Sequence, residues 1–204
     1  TLFHEFGHAL HGLNSNVTYP SLAGTAVPRD YVEFPSQVHE NWLPTREVLE
    51  NYALHVDTGE PIPQELVDKI ERAANARQGF DTTEYLASAL VDMKLHTMTD
   101  FEGFDADTFE RQTLEAIGMP EELPMRHRTP QFSHVFSGEG YAAGYYAYLW
   151  ADTFSADAWE AFEEAGGPYD RETADAFGKW ILSVGNTLPP SEAYENFRGR
   201  QPDT

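Results

Sequence analysis

The chain has 204 residues, enough for one large domain or two small ones, and its 41% hydrophobic and 13% aromatic content marks it as globular rather than disordered. Lys and Arg number 13 against 34 Asp and Glu, a net charge of −21 that repels phosphate backbones and argues against nucleic acid as a partner. The absence of cysteine excludes disulfides and thiolate metal sites, restricts metal ligands to His, Asp and Glu, and fits a cytoplasmic setting.

The first predicted element is a helix over Thr1 to Leu13. At about 100° per residue, Leu2, Phe6, Leu10 and Leu13 form one stripe, expected to face the core, with His4, His8 and His11 opposite. A strand would instead put His4, Phe6 and His8 on one side, which makes poor chemical sense. Gly12 reads as the stop. The helix contains His4-Glu5-Phe6-Gly7-His8, an H-E-x-x-H motif. Its two histidines are one turn apart and can share a zinc ion, with Glu5 beside them to take a proton from the attacking water. The chain starts three residues before its first candidate ligand, already inside a helical pattern, which suggests a fragment. No signal peptide and no apolar run long enough to span a membrane is found, so no membrane partner is expected.

Residues 14–27 read as a loop or short strands, being rich in Ser, Thr, Asn, Gly and Pro. A second helix is expected over Tyr31 to Trp42, with Asp30 as cap and Glu33 completing a capping box; Pro35 either kinks it or marks its true first turn. Further helices are predicted over Thr45 to Val56, over Gln64 to Arg77 with Leu66 and Ile70 inward, and from Asp81 through Met98 with Leu86, Leu90 and Met93 inward. Another spans Asp107 to Ile117. After an irregular, Gly-rich stretch a long helix is expected over Tyr141 to Ala165, then one from Asp170 to about Ser183 and a last short one from Ser191 to Phe197. The fold class is mainly α, a multi-helix zincin-like catalytic domain with at most a few short strands.

A hydrolytic zinc site takes three protein ligands and leaves one position open. His11 is too close to His8 on one rigid helix for all three histidines to converge. It reads as an outer partner of a bound imidazole or as a satisfied surface residue. Glu33, 25 residues after His8, is the better third ligand; its alternative is a simple capping carboxylate. Glu40, two turns after Glu33, either orients a zinc-bound His or is an ordinary surface carboxylate.

Together, His4-Glu-Phe-Gly-His8 and Val32-Glu33-Phe-Pro-Ser-Gln37 resemble the M3 peptidases, the group of thimet oligopeptidase and dipeptidyl carboxypeptidase. Ser21-Leu-Ala-Gly-Thr25 and Pro28-Arg-Asp-Tyr-Val-Glu-Phe-Pro35 look more like the bacterial dipeptidyl carboxypeptidase branch. The resemblance implies one zinc per chain on His4, His8 and Glu33, with Glu5 as general base. It extends to His134-Val-Phe-Ser-Gly-Glu-Gly-Tyr141-Ala-Ala-Gly-Tyr145-Tyr146-Ala-Tyr148, similar to the family's Gly-rich loop and tyrosine helix. Tyr141, Tyr145 and Tyr148 are spaced 4 and 3 apart, so on a helix they share a face. Such a stripe alone is more often packing than catalysis, but the family assigns catalytic or binding roles to residues matching His134, Tyr141, Tyr145 and Tyr148. On that basis Tyr145, Tyr148 and His134 are expected to stabilise the oxyanion. Tyr141 and the loop glycines Gly138 and Gly140 are expected to bind substrate, with the loop closing over it.

The resemblance covers residues 1–204 but only the C-terminal part of such enzymes, whose large N-terminal region forms the other wall of a substrate channel. The expected substrates are oligopeptides, cut to release C-terminal dipeptides. Two alternatives stand beside this: a folded, zinc-binding but inactive fragment, and an oligopeptidase acting as an endopeptidase. Arg126, Arg128, Arg198 and Arg200 are candidates for holding a substrate carboxylate.

Overall fold

The computed structural model describes residues 1–202. In chain order its helices are α1 (Leu2–Leu13), α2 (Arg29–Val32), α3 (Phe34–Glu40), α4 (Arg46–Tyr52), α5 (Gln64–Ala74), α6 (Gln78–His96), α7 (Ala106–Ala116), α8 (Ala147–Glu164), α9 (Arg171–Phe177) and α10 (Pro190–Arg198). The described residues are mainly helical and contain no strand, only an isolated antiparallel bridge between Leu54 and Pro61. The short strands expected near residues 16–27 are absent; a single 3-10 turn, Pro20–Leu22, lies there. No helix among the described residues is long and apolar enough to cross a membrane.

The chain divides into two compact units, one of residues 1–67 together with the chain from Ala147 on, the other Asp68–Tyr146. In the first, the core gathers Tyr31, Phe34 and Val38 from α2 and α3, Ala151, Ala158 and Phe162 from α8, and Phe177, Ile181 and Tyr194. Most of these rings meet at steep angles, as Trp42 does with Trp159 and Phe162 at 4.9 and 5.1 Å. Edge-to-face packing of this kind adds to area burial. Arg198 and Arg200 clamp α10 to α8 through the buried Asp157, with Arg198 also 2.6 Å from Glu164.

The expected second helix is broken in two at Glu33. This residue closes α2 with φ −80° and ψ −15° and stands immediately before α3, with Pro35 in the first turn. Proline is at home there, because its missing N–H would have no intrahelical partner. Asp30 lies inside α2 rather than capping it.

The expected inward stripe of α1 is overturned. Leu2 and Leu13 are 79% and 77% exposed and Phe6 is 52% exposed, whereas Gly7 and His11 are buried. The cause is helix packing. A Cβ on Gly7 would lie 2.6 Å from the Ser36 Cα, so α1 meets α3 on its glycine face, where backbones can approach closely. Gly12 is not the stop either. The helix runs to Leu13, and Gly24, at φ +53°, packs against Gly12 so closely that a Cβ on Gly24 would lie 2.9 Å from its Cα.

The second unit has its own core of Val91, Leu95, Phe109, Met125, Phe132 and Val135. Here too the leucine stripes are overturned. Leu86 and Leu90 are exposed, and α6 instead buries Ala87, Ser88, Ala89, Val91, Asp92 and Leu95. Leu66 and Ile70 of α5 are likewise exposed, and Val67 is the buried residue. The cap of α7 is Asp105, whose side chain accepts from the Thr108 N–H at 2.9 Å.

The largest correction concerns the tyrosine segment. No long helix spans Tyr141 to Ala165; a 3-10 turn covers Glu139–Tyr141, and α8 begins only at Ala147. Ala143 has φ +53°, the one positive value outside glycine among the described residues. A left-handed residue cannot continue a right-handed helix, so Tyr141 and Tyr145 do not share a helix face with Tyr148.

Candidate metal centre and active site

His4 and His8 project from α1 one turn apart, and Glu33 sits where α2 gives way to α3. The close approach at Gly7 brings the two elements together. Glu33 Oε2 lies 3.2 Å from His4 Nε2 and 3.1 Å from His8 Nε2, and ligand atoms of all three lie within 4.8 Å of one another. Glu33 is 5% exposed, while both histidines keep part of their surface open. Burial alone would raise the Glu33 carboxyl. The hydrogen bond from His8 and the charges of His8, His4 and Arg29 outweigh it, so Glu33 sits below the usual carboxylate range and stays ionised.

Glu40 Oε1 is 2.7 Å from His4 Nδ1. A carboxylate only accepts, so Nδ1 carries the hydrogen, and whenever the ring is neutral Nε2 turns its lone pair towards Glu33. Two acceptors facing each other at 3.2 Å repel unless a proton or a metal cation lies between them. Two imidazole nitrogens with one carboxylate oxygen make a donor set that suits zinc and leaves a coordination position open. Glu5 is exposed on the same helix, next to His4. His39, on α3, ties the two helices together by donating from Nδ1 to the Phe3 carbonyl at 2.7 Å. Nothing in the sequence spacing pointed to that bond.

His11 is neither an exposed nor a satisfied residue. It is fully buried, and neither ring nitrogen finds a protein partner. Burial, helped by the nearby His8, lowers its pKa to about 4. The unfolded chain takes up this proton near pH 6.5 and the folded chain only near 4, so stability falls as pH drops through that window. In the metal-free protein, urea unfolding is expected to show about 3 kcal/mol lost from this group between pH 7 and 4. His11→Leu should lack that component, and an identical pH dependence in both proteins would rule it out.

In the second unit, the His134 ring meets Tyr141 at 5.2 Å and Tyr145 at 5.4 Å, both at steep angles. Burial raises the Tyr145 phenol, against the pull of Arg126 and with the help of Glu84, so it remains a neutral hydrogen-bond donor at ordinary pH. Gly138 and Gly140 flank Glu139 on the exposed loop before Tyr141. Tyr148 lies in the first turn of α8, in the unit that holds His4, His8 and Glu33, and its carbonyl accepts from Gln37 Nε2 at 3.0 Å. Of the four candidate arginines, Arg128 is 2.6 Å from both Asp107 and Glu110, and Arg198 and Arg200 are engaged by Asp157. Arg126 is the one whose charge acts on Tyr145.

A helical protein that converges two histidines and a glutamate, with a second glutamate beside the first histidine, has the donor set of an H-E-x-x-H hydrolase. More specifically, this chain belongs to peptidase family M3, whose profile matches residues 1–204. It is 43% identical to a dipeptidyl carboxypeptidase of Salmonella typhimurium and to one of Escherichia coli, over 99% of this chain and 30% of each relative. It is 41% identical to oligopeptidase A of Escherichia coli, again over 99% of this chain and 30% of the relative. The chain therefore spans about 30% of the length of the curated relatives it matches.

Proposed function

We propose that the chain is the C-terminal part of the catalytic domain of a zinc peptidase that releases C-terminal dipeptides from short oligopeptides. The observation that carries this reading is the convergence of His4 Nε2, His8 Nε2 and Glu33 Oε2, with Glu5 on the same helix as the two histidines. One zinc ion held by these three residues would supply a Lewis acid for the attacking water and the scissile carbonyl. Glu5 takes a proton from that water and delivers it to the departing amine nitrogen. Tyr145, Tyr148 and His134 donate hydrogen bonds to the oxyanion, and Tyr141 with the loop at Gly138 and Gly140 holds the substrate backbone. Glu40 keeps His4 in the tautomer that presents Nε2. An N-terminal region of the same enzyme supplies the rest of the substrate channel, and a cytoplasmic setting fits the cysteine-free composition.

Nearly equal identity to oligopeptidase A favours endopeptidase action as a second reading. Mass analysis of products from free and C-terminally amidated peptides separates the two. Dipeptide release abolished by amidation supports the first, and internal cleavage of both supports the second. The further alternative, a fragment that binds zinc without activity, is decided by assaying this chain alone with zinc added.

The metal assignment makes its own prediction. Glu33→Gln keeps the size of the side chain but removes the anionic ligand. Outer partners of a metal ligand are worth about 10–100-fold in affinity, so loss of a ligand should weaken zinc binding by more than about 100-fold. Competition against a chelator measures this. Unchanged affinity would mean that Glu33 is not a ligand.

A further inference from the structure

Asp92 is 1% exposed in the middle of the second unit, yet it belongs to none of the groups assigned so far. Its carboxylate is fully engaged. Oδ1 accepts the Ala143 N–H at 3.1 Å and the His96 Nδ1–H at 2.7 Å, and Oδ2 accepts the Tyr145 N–H at 2.9 Å. The Tyr145 carbonyl is held from the other side by the Tyr85 hydroxyl, and the two tyrosine rings stack at 5.1 Å and 24°. Tyr145 is thus gripped at its N–H, its carbonyl and its ring. Between the two amide groups that Asp92 binds lies the left-handed turn at Ala143, a conformation that non-glycine residues adopt only when their surroundings impose it. A helix through this segment would need those N–H groups for its own ladder, and Asp92 takes them instead. The network reaches further through His96, whose ring packs on Phe136 at 5.4 Å in the same 3-10 turn as His134.

We propose that Asp92, with Tyr85 and His96, is the positioning device that fixes Tyr145 relative to His134 in the arrangement the reaction uses. This rests on the reading of Tyr145 as an oxyanion donor. A carboxylate suits the task because both of its oxygens are acceptors and can take three N–H bonds at once. An amide in its place is isosteric but turns a donor towards one of those N–H groups. The cost then falls on the turn, and through it on the aim of the Tyr145 ring. Asp92 touches neither substrate nor metal, so its contribution is expected in kcat rather than in metal affinity.

The experiment is a double-mutant cycle in the zinc-loaded full-length enzyme, with zinc content and near-ultraviolet circular dichroism recorded for each variant. Tyr145→Phe is expected to lower kcat by about 100-fold, the size of one lost oxyanion donor. Asp92→Asn is expected to lower kcat by about 30-fold with little change in KM, consistent with a displaced catalytic group. In the Tyr145→Phe background, Asp92→Asn should cost less than about 3-fold, because a device acting through the Tyr145 hydroxyl has nothing left to position. An equal loss in both backgrounds, or wild-type kcat for Asp92→Asn, overturns the proposal while leaving the catalytic reading intact. Wild-type kcat for Tyr145→Phe removes both. Should Asp92→Asn fail to fold, Tyr85→Phe replaces it in the cycle; it removes only the hydroxyl bond to the Tyr145 carbonyl. A loss of about 5-fold that vanishes in the Tyr145→Phe background supports the clamp, and an additive loss overturns it.

Discussion

Glu5→Gln in the full-length enzyme is expected to lower kcat by about 10³-fold while zinc content stays at one per chain. The substitution is isosteric and removes only the proton-accepting function. General base catalysis is typically worth 10²–10⁴-fold, so a mid-range loss corresponds to about 4 kcal/mol of barrier. Metal binding should survive because Glu5 lies outside the converging set of His4, His8 and Glu33. KM should change little, since on the proposed mechanism the exposed Glu5 carboxylate would act on the reacting water rather than on the bound peptide. Inductively coupled plasma analysis and steady-state kinetics on one preparation give both readouts. A variant that keeps zinc and wild-type kcat would falsify the assignment of Glu5. A variant that loses zinc would instead make Glu5 a structural partner of the site.

The convergence of His4, His8 and Glu33 was legible in the sequence because its geometry is mostly local. An i, i+4 pair on a helix leaves little freedom in where two imidazoles point, and Glu33 is reached by a loop short enough to fold back. What was hidden is the packing that makes the approach work. The apolar stripe Leu2, Phe6 and Leu13 suggested a buried face, but burial goes to Gly7 and His11 because backbone proximity to α3, not hydrophobicity, decides which side of α1 faces inward. A hydrophobicity pattern does not show that a glycine will be met by a helix from another part of the chain.

The tyrosine segment failed for a different reason. Spacings of 4 and 3 are helical only if the backbone is, and that backbone is set by Asp92, about 50 positions upstream. Nothing between Tyr141 and Tyr148 announces a left-handed turn except Gly144, one residue away from where it occurs. In the same way the break between α2 and α3 at Glu33 was marked by Pro35. The residue type was informative, but the choice between a kink and a new first turn needed the neighbouring structure.

Gly7→Ala should damage the metal centre without touching a ligand. On propensity alone the change favours a helix by about 1 kcal/mol. The packing opposes it. The added methyl would stand 2.6 Å from the Ser36 Cα and 3.1 Å from the His39 Cβ. The first of these is backbone, so no side-chain rotation relieves it. Relief requires α1 to move away from α3 by roughly 1 Å, and overpacking of this kind costs about 1–3 kcal/mol. The same displacement draws His4 and His8 away from Glu33, whose oxygen now lies 3.2 and 3.1 Å from their nitrogens, and strains the His39 bond to Phe3. Misplacement on that scale in a preorganised site is worth about 100-fold. The expected result is a lower Tm together with about 100-fold weaker zinc binding. Gly12→Ala is the control on the same helix: its added methyl meets nothing within 4 Å, so the propensity gain should appear as a slightly raised Tm with unchanged zinc affinity. If Gly7→Ala instead matches Gly12→Ala in both measurements, the α1–α3 approach does not hold the metal ligands in place. Hydrophobic contacts elsewhere on the helix would then have to carry its orientation.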